Sequence, residues 1–365
     1  MEDSEPILNI FREKHNLTIG KLLGKGGFGE VREITSKGKN YAGKLVKKKY
    51  KKDKYLGNIN ESEDEEENII LFLKNPNIVK IFKIYEETYK HNGKEEKYNF
   101  IIMEKAVLKD LKTFNKSYYF PYKDNLIYMP FKETIGDNLL KFLSRQIVKG
   151  LELFERNELI HFDVKPENIL IFLEFYLKIT DFGLLKDVSG IDQIRIPGGT
   201  PGYLSPEYYK NYKYKIPIDI AKKQDYFALG ATIYLLKYGH QMLKFKIHKT
   251  NKSEENKLSQ EFIVDLLQKK LVFIKSDKIA DKDFIYFLCS LIQIFPEERP
   301  CFEEIYRNKW LNKNINEISK IYKGFRNDEE KLIKELRKND YLGEKKKELK
   351  ENRKKYVFKN IKKKL

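Results

Sequence analysis

The chain has 365 residues, 41% hydrophobic and 35% charged, with 24 Phe, 24 Tyr and a formal net charge of +18, enough apolar material to fold two domains or one bilobal domain. Cys289 and Cys301 stand without a CxxC or Cys/His grouping, which argues against a disulfide framework or structural zinc and for a reducing compartment, the cytosol or nucleus. No stretch approaches the roughly 20 apolar residues of a membrane span, the acidic start Met1–Pro6 has no apolar core, and about half of the positive excess lies beyond Asn312, so the charge reads as a basic tail rather than as a nucleic-acid footprint.

Residues 17–48 alternate apolar and polar around a glycine cluster, which predicts strands joined by tight turns. Gly24, Gly26 and Gly29 form GxGxxG, with Val31 two positions on. Glycine lets backbone amides approach a phosphate, and the strand-like sequence that follows speaks against a dinucleotide site, which needs a helix there. Lys44 ends the YAGK run, thirteen residues after Val31. The basic run Lys47–Lys54 then meets the acidic run Glu61–Glu67, which leads into Ile69, Ile70 and Leu73 and reads as the start of a helix.

A further strand, YNFIIME, ends near Met103. Residues 112–136 show no clear period and predict a long loop or insertion, either a docking element or a tolerated surface loop. From Asp137, Leu139, Leu140, Leu143, Ile147, Leu151 and Phe154 recur at helical spacing. The polar motif HFDVKPEN at 161–168 precedes the short strand ILIF, and the strand LKIT precedes Asp181-Phe182-Gly183. Residues 218–311 read as several helices interrupted by the polar segment Lys249–Ser259. Strands first and helices afterwards indicate an α+β chain with two unequal lobes. The tail, 312–365, reads as a charged helix with a basic end, open to use in targeting, autoinhibition or membrane-surface docking.

A glycine loop, a strand lysine, HFDVKPEN and DFG, in this order and spacing, resemble the eukaryotic protein kinases of the serine/threonine type. The resemblance implies a small, mainly antiparallel β lobe with one main helix (17–103), a larger helical lobe (107–311), an N-terminal extension (1–16) and a tail (312–365). It implies ATP and Mg2+ as cofactors and, as partners, protein substrates with Ser or Thr acceptors. Leu23, Gly24, Lys25, Gly26, Gly27, Phe28, Gly29, Val31, Ala42, Met103, Glu104 and Ala106 would line the nucleotide site, and Lys44 would hold the α- and β-phosphates. Glu66, ten residues before Pro76, would orient that lysine, although Glu65 and Glu67 flank it.

By the same resemblance Asp163 accepts the proton of the substrate hydroxyl, Lys165 sits against the γ-phosphate, and Asn168 and Asp181 are magnesium ligands. Thr200, in GTPGYLSPE, faces the phosphoacceptor, Glu207 pairs with Arg299, and Asp225 braces the catalytic loop. Lys165 and Thr200 favour serine/threonine specificity. Phe162 departs from the family's usual arginine, and Ile196 stands where a phosphorylatable hydroxyl often does, four residues before Thr200. Because phenylalanine cannot pair with a phosphate, activity is expected not to depend on phosphorylation of this segment. The rival readings are a pseudokinase scaffold that binds nucleotide or partners without catalysis, and a basic nucleic-acid-binding protein.

Overall fold

The structure, a computed structural model, describes residues 4–26, 29–48, 75–91, 93–106, 109–118, 136–172, 176–211, 214–244 and 260–318. Glu66 and the acidic run around it, Gly27, Phe28, the stretch Lys249–Ser259 and the tail beyond residue 318 lie outside the described residues. Helix α1 (Glu5–His15) leads into β1 (Thr18–Gly26), β2 (Gly29–Ser36), β3 (Lys39–Lys47), β4 (Ile81–His91) and β5 (Lys94–Glu104). These strands form one antiparallel sheet in the order β1-β2-β3-β5-β4.

Period-two alternation gives this sheet two chemically different faces. Ile34, Tyr41, Leu45, Phe100 and Ile102 cluster on one side with Ile7, Leu8 and Phe11 of α1. Val31, Ala42, Val46, Ile101 and Met103 belong to the main core that continues into the helical lobe. Gly43 lies on the α1 side, where an added Cβ would sit 2.5 Å from the Phe100 ring and 2.8 Å from Ile34. Burial of the three α1 side chains stabilises its docking by about 1.5–3 kcal/mol each, and the Phe11 ring lies 5.1 Å from that of Phe100. The segment 1–16, read from sequence as an extension, thus carries a helix packed on the small lobe.

The larger lobe contains α2 (Leu111–Tyr118), α3 (Asp137–Arg156), β6 (Leu159–Ile160), β7 (Ile169–Ile171), β8 (Leu177–Ile179), β9 (Lys186–Asp187), β10 (Gln193–Ile194), α4 (Pro206–Asn211), β11 (Ile216–Pro217), α5 (Ile218–Tyr238), α6 (Gln260–Lys275), α7 (Lys282–Leu291), α8 (Phe302–Tyr306) and α9 (Lys309–Asn312). Helix α3 begins at the predicted Asp137, and β7 and β8 form the expected short pair. Residues 112–118 of the expected insertion lie instead in α2, with Leu111, Phe114 and Asn115 buried and Asn115 Nδ2 donating to Leu235 O at 3.2 Å. One turn's worth of buried positions among polar residues is too short a signal to show a helical period; the remainder of that segment, residues 119–135, is outside the described residues. Among the described residues no helix is long and apolar enough to cross a membrane.

The lobes are joined at the base of the sheet, where Val79 N donates to Ile179 O and Ile179 N to Asn77 O, both at 2.9 Å. Asn77 Nδ2 adds a bond to Leu177 O. Deeper in the helical lobe, Arg299 makes a two-pronged pair with Glu207, Nη1 to Oε1 at 2.6 Å and Nη2 to Oε2 at 2.8 Å, with its Nε on Gln293 O and its guanidinium over Phe227. The Arg299 side chain is fully buried, so removing one partner strands a charge away from water. Arg299→Met is expected to lower the unfolding free energy by about 3–5 kcal/mol, read as an earlier urea midpoint, and adding Glu207→Met in the same chain should recover part of the loss.

Candidate active site

The described glycines of the motif lie where β1 and β2 pair, with Gly24 opposite Val31, Lys25 opposite Glu30 and Gly26 opposite Gly29. Gly29 has φ 134°, and a Cβ there would lie 1.9 Å from Leu45 O, so the close approach of β2 to β3 admits no side chain. Leu23 is largely exposed beside the turn. Ala42 and Met103 are register partners across β3 and β5 and are both buried, with Val31 packed on the same core. Ala106, just past β5, is half-buried.

Glu104, the last residue of β5, engages other partners through its carboxylate. Lys178 Nζ contacts both carboxylate oxygens, at 2.6 and 2.7 Å, and the Lys80 N–H donates to Oε1 at 2.7 Å. The residue therefore ties the segment between the lobes to β8 through its carboxylate, a role absent from the sequence reading.

Lys44 lies next in line on β3, and its Nζ reaches Asp181 Oδ1 at 2.6 Å. Burial alone would raise the Asp181 carboxyl, but the charge and hydrogen bond of Lys44 outweigh it and hold the group below its ordinary value, hence ionised. Asp181 has φ 66°, a left-handed conformation uncommon for a side-chain-bearing residue. It is followed by Phe182, buried against His161 and Phe154.

Asp163 is where the site converges. Its Oδ2 accepts from Lys165 Nζ and, at 3.0 Å, from Asn168 Nδ2; its Oδ1 accepts from Thr200 Oγ1 at 2.8 Å. Lys165 Nζ also donates to Thr200 Oγ1 at 2.6 Å. Asn168 Nδ2 donates in addition to Asp163 O at 2.9 Å. With its amide hydrogens directed to Asp163, Asn168 offers its carbonyl oxygen, and Asp181 its carboxylate, as donors to a cation. One amide oxygen and one carboxylate oxygen are hard donors of the kind magnesium prefers when phosphates and waters complete its shell, so the residues present fit ATP with magnesium.

The loop carrying Asp163 is fixed from below. Asp225, on the buried helix α5, accepts from His161 N at 2.8 Å and from Phe162 N at 2.9 Å. Burial pushes the Asp225 carboxyl up to about 7, against the opposing pull of those two amides. Phe162 has φ 61° and is buried in a cluster with Ile160, Val188, Ile196, Ile216 and Ala221. His161 had no role in the sequence reading beyond heading the motif. Its ring lies 5.6 Å from Phe154 and 5.8 Å from Phe182, its Nε2 meets Thr180 O, and burial holds it below its ordinary value, hence neutral.

Comparison with known proteins agrees with this arrangement. The profile of the protein kinase domain matches residues 17–311. A probable serine/threonine-protein kinase of Dictyostelium discoideum is 32% identical over 59% of this chain and 28% of that protein. Serine/threonine-protein kinase 17A of Oryctolagus cuniculus is 26% identical over 83% of this chain and 68% of its own length, and Aurora kinase of Eremothecium gossypii is 26% identical over 81% and 69%. The match thus spans under a third of the first relative and about two-thirds of the other two. With a two-lobed fold, a glycine turn over a buried strand lysine and a convergent Asp163 beneath it, all inside the matched span, the chain belongs to the protein kinase family.

Proposed function

We propose that this chain is an active serine/threonine protein kinase that transfers the γ-phosphoryl group of ATP to hydroxyls of protein substrates. The observation that carries the reading is the convergence of Lys165, Asn168 and Thr200 on the Asp163 carboxylate, with the Lys44–Asp181 pair facing it. Phosphoryl transfer needs little covalent chemistry from the protein, so positioning and charge neutralisation supply most of the rate. Asp163 orients the incoming hydroxyl and accepts its proton. Lys165 neutralises charge on the transferring group, and Lys44 holds the inner phosphates. Asn168 and Asp181 would hold magnesium through their side-chain oxygens, and the ion would supply charge neutralisation at the phosphates.

Thr200 supports the serine/threonine assignment through its contacts with both Asp163 and Lys165. Its hydroxyl borders the space that an acceptor side chain enters. Relatives named as serine/threonine kinases point the same way.

The reading extends to regulation. Phe162 and Ile196 share one buried cluster, so the segment between Asp181 and Thr200 is held against the catalytic loop by an apolar contact in the place where the family's arginine meets a phosphate. Burying a phenylalanine contributes about 1.5–3 kcal/mol, comparable to the charge-assisted bonds it replaces. The kinase is therefore active without a phosphate on this segment.

Two experiments test these statements. Radiolabelled transfer from ATP with magnesium to a mixed basic-protein substrate should yield phosphoserine or phosphothreonine. Asp163→Asn should reduce it by about a thousandfold or more while ATP still binds; ATP binding without transfer by the parent chain would instead leave a scaffold. Phosphatase treatment and Ser189→Ala should each leave the rate within about twofold, whereas Ile196→Asp, which places a charge in the Phe162 cluster, should lower it at least about tenfold. A strong loss after phosphatase treatment would overturn the apolar-latch reading.

A further inference from the structure

The outer face of β2 carries a chain of charges that ends at the glycine turn. Alternation along the strand places Glu30, Arg32 and Ile34 on the side that meets α1, and Val31 on the core side. Glu30 directly follows Gly29 and is opposite Lys25 in the hairpin register. It is only 5% exposed. Its carboxylate takes Arg32 Nε at 2.8 Å and lies 3.5 Å from Lys25 Nζ. Burial would raise that carboxyl, yet hydrogen bonds from Arg32 and Ser4 and the charges of Arg32 and Lys25 hold it below its ordinary value.

Arg32 continues the chain into α1, its Nη2 lying 3.4 Å from Glu5 Oε1. Glu5 in turn binds Arg12 at 2.8 Å. At the other end of the helix, Lys14 and His15 both engage Glu87 of β4, at 2.6 and 2.8 Å, and the His15 ring lies 4.1 Å from that of Tyr85. Helix α1 is thus anchored at both ends, with its first residues on the strand that forms one side of the glycine turn.

A turn built on glycines has wide conformational freedom, and holding it in one shape costs entropy. A buried carboxylate one residue from that turn must stay paired, because stripping it of water is costly. Displacing Gly29 from β3 would pull on Glu30, which is bonded to Ser4 and to an Arg32 side chain that Glu5 holds from α1. Ile7, Leu8 and Phe11 dock α1 through apolar contacts, and the ionic chain adds a polar link from its first turn to β2.

We infer that α1 is a built-in brace for the phosphate-binding turn, in which Ser4 and Glu5 act through Arg32 and Glu30 as positioning residues that set the affinity for the phosphate tail of ATP. The inference rests on the nucleotide-binding part of the proposed function. It assigns the residues before the kinase domain a part in substrate binding, and it separates phosphate binding from adenine binding. Glu30 and Arg32 lie on the α1 side of β2, opposite the core side that carries Val31, and so would act through the backbone.

The test compares the full-length chain with Glu5→Ala, Arg32→Ala and Arg32→Lys, measuring dissociation constants for a fluorescent ATP with magnesium and for adenosine, which has no phosphate. Glu5 is partly exposed, so its variant folds even where Arg32→Ala does not. ATP should bind about fivefold to tenfold more weakly to Glu5→Ala and Arg32→Ala, with adenosine binding and turnover at saturating ATP unchanged, and Arg32→Lys should fall between them and the parent. Unchanged ATP affinity in Glu5→Ala, or an equal loss for adenosine, would overturn the inference. Because the affinity ratio is read without turnover, a parent chain that binds ATP but transfers nothing would sink the catalytic reading alone; a parent chain that binds no ATP would remove both.

Discussion

Two backbone N–H groups directed at one buried carboxylate hold the centre of this molecule. Asp225 takes the amides of His161 and Phe162 and so fixes the backbone immediately before Asp163. Phe162 is thereby kept in a left-handed conformation that a bulky residue adopts only at a cost of about 1–3 kcal/mol. Once that turn is fixed, Asp163 faces Thr200, Lys165 and Asn168 rather than the protein interior. The carboxylate can be buried because α5 is apolar around most of its circumference and is itself locked by Lys223, whose Nζ donates to Arg299 O and Pro300 O. The buried Arg299–Glu207 pair ties the segment after Thr200 to the same platform.

The small lobe solves a different problem with the same economy of parts. Its sheet has apolar side chains on both faces, so one face closes the cleft and the other must be covered. Helix α1 supplies that cover, and Gly43 lets Phe100 and Ile34 pack closely beneath it. Cleft side chains and outer side chains come from alternate positions of the same strands, so a change on the outside is transmitted to the cleft through backbone rather than through side-chain contacts.

Much of this was legible in the sequence, because the candidate site residues sit in short motifs. HFDVKPEN spans eight consecutive residues and so carries Asp163, Lys165 and Asn168 within one legible motif. Helix α3 was legible from the helical spacing of its apolar residues, and α5 lies in the stretch 218–311 that read as several helices. Contacts between distant segments were not: Phe162 and Ile196 are thirty-four positions apart, and nothing local announces that they meet. Glu104 was read among the residues of the nucleotide site, and the partners of its carboxylate, Lys80 and Lys178, lie in other segments that the sequence does not link to it. Helix α1 was hidden because Ile7, Leu8 and Phe11 are its only buried residues in eleven, too few for a period to stand out among charged neighbours. The helix expected to carry Glu66 lies outside the described residues.

The apolar cluster around Phe162 has a thermal character that an ionic latch lacks. A phosphate–arginine contact is written by one enzyme and erased by another, and salt weakens it. A contact between Phe162 and Ile196 responds to neither, but its driving force comes from water and fades on cooling. Under the proposed reading, control over the timing of activity acts elsewhere than on this segment, and the contact that shapes the segment strengthens and weakens with temperature.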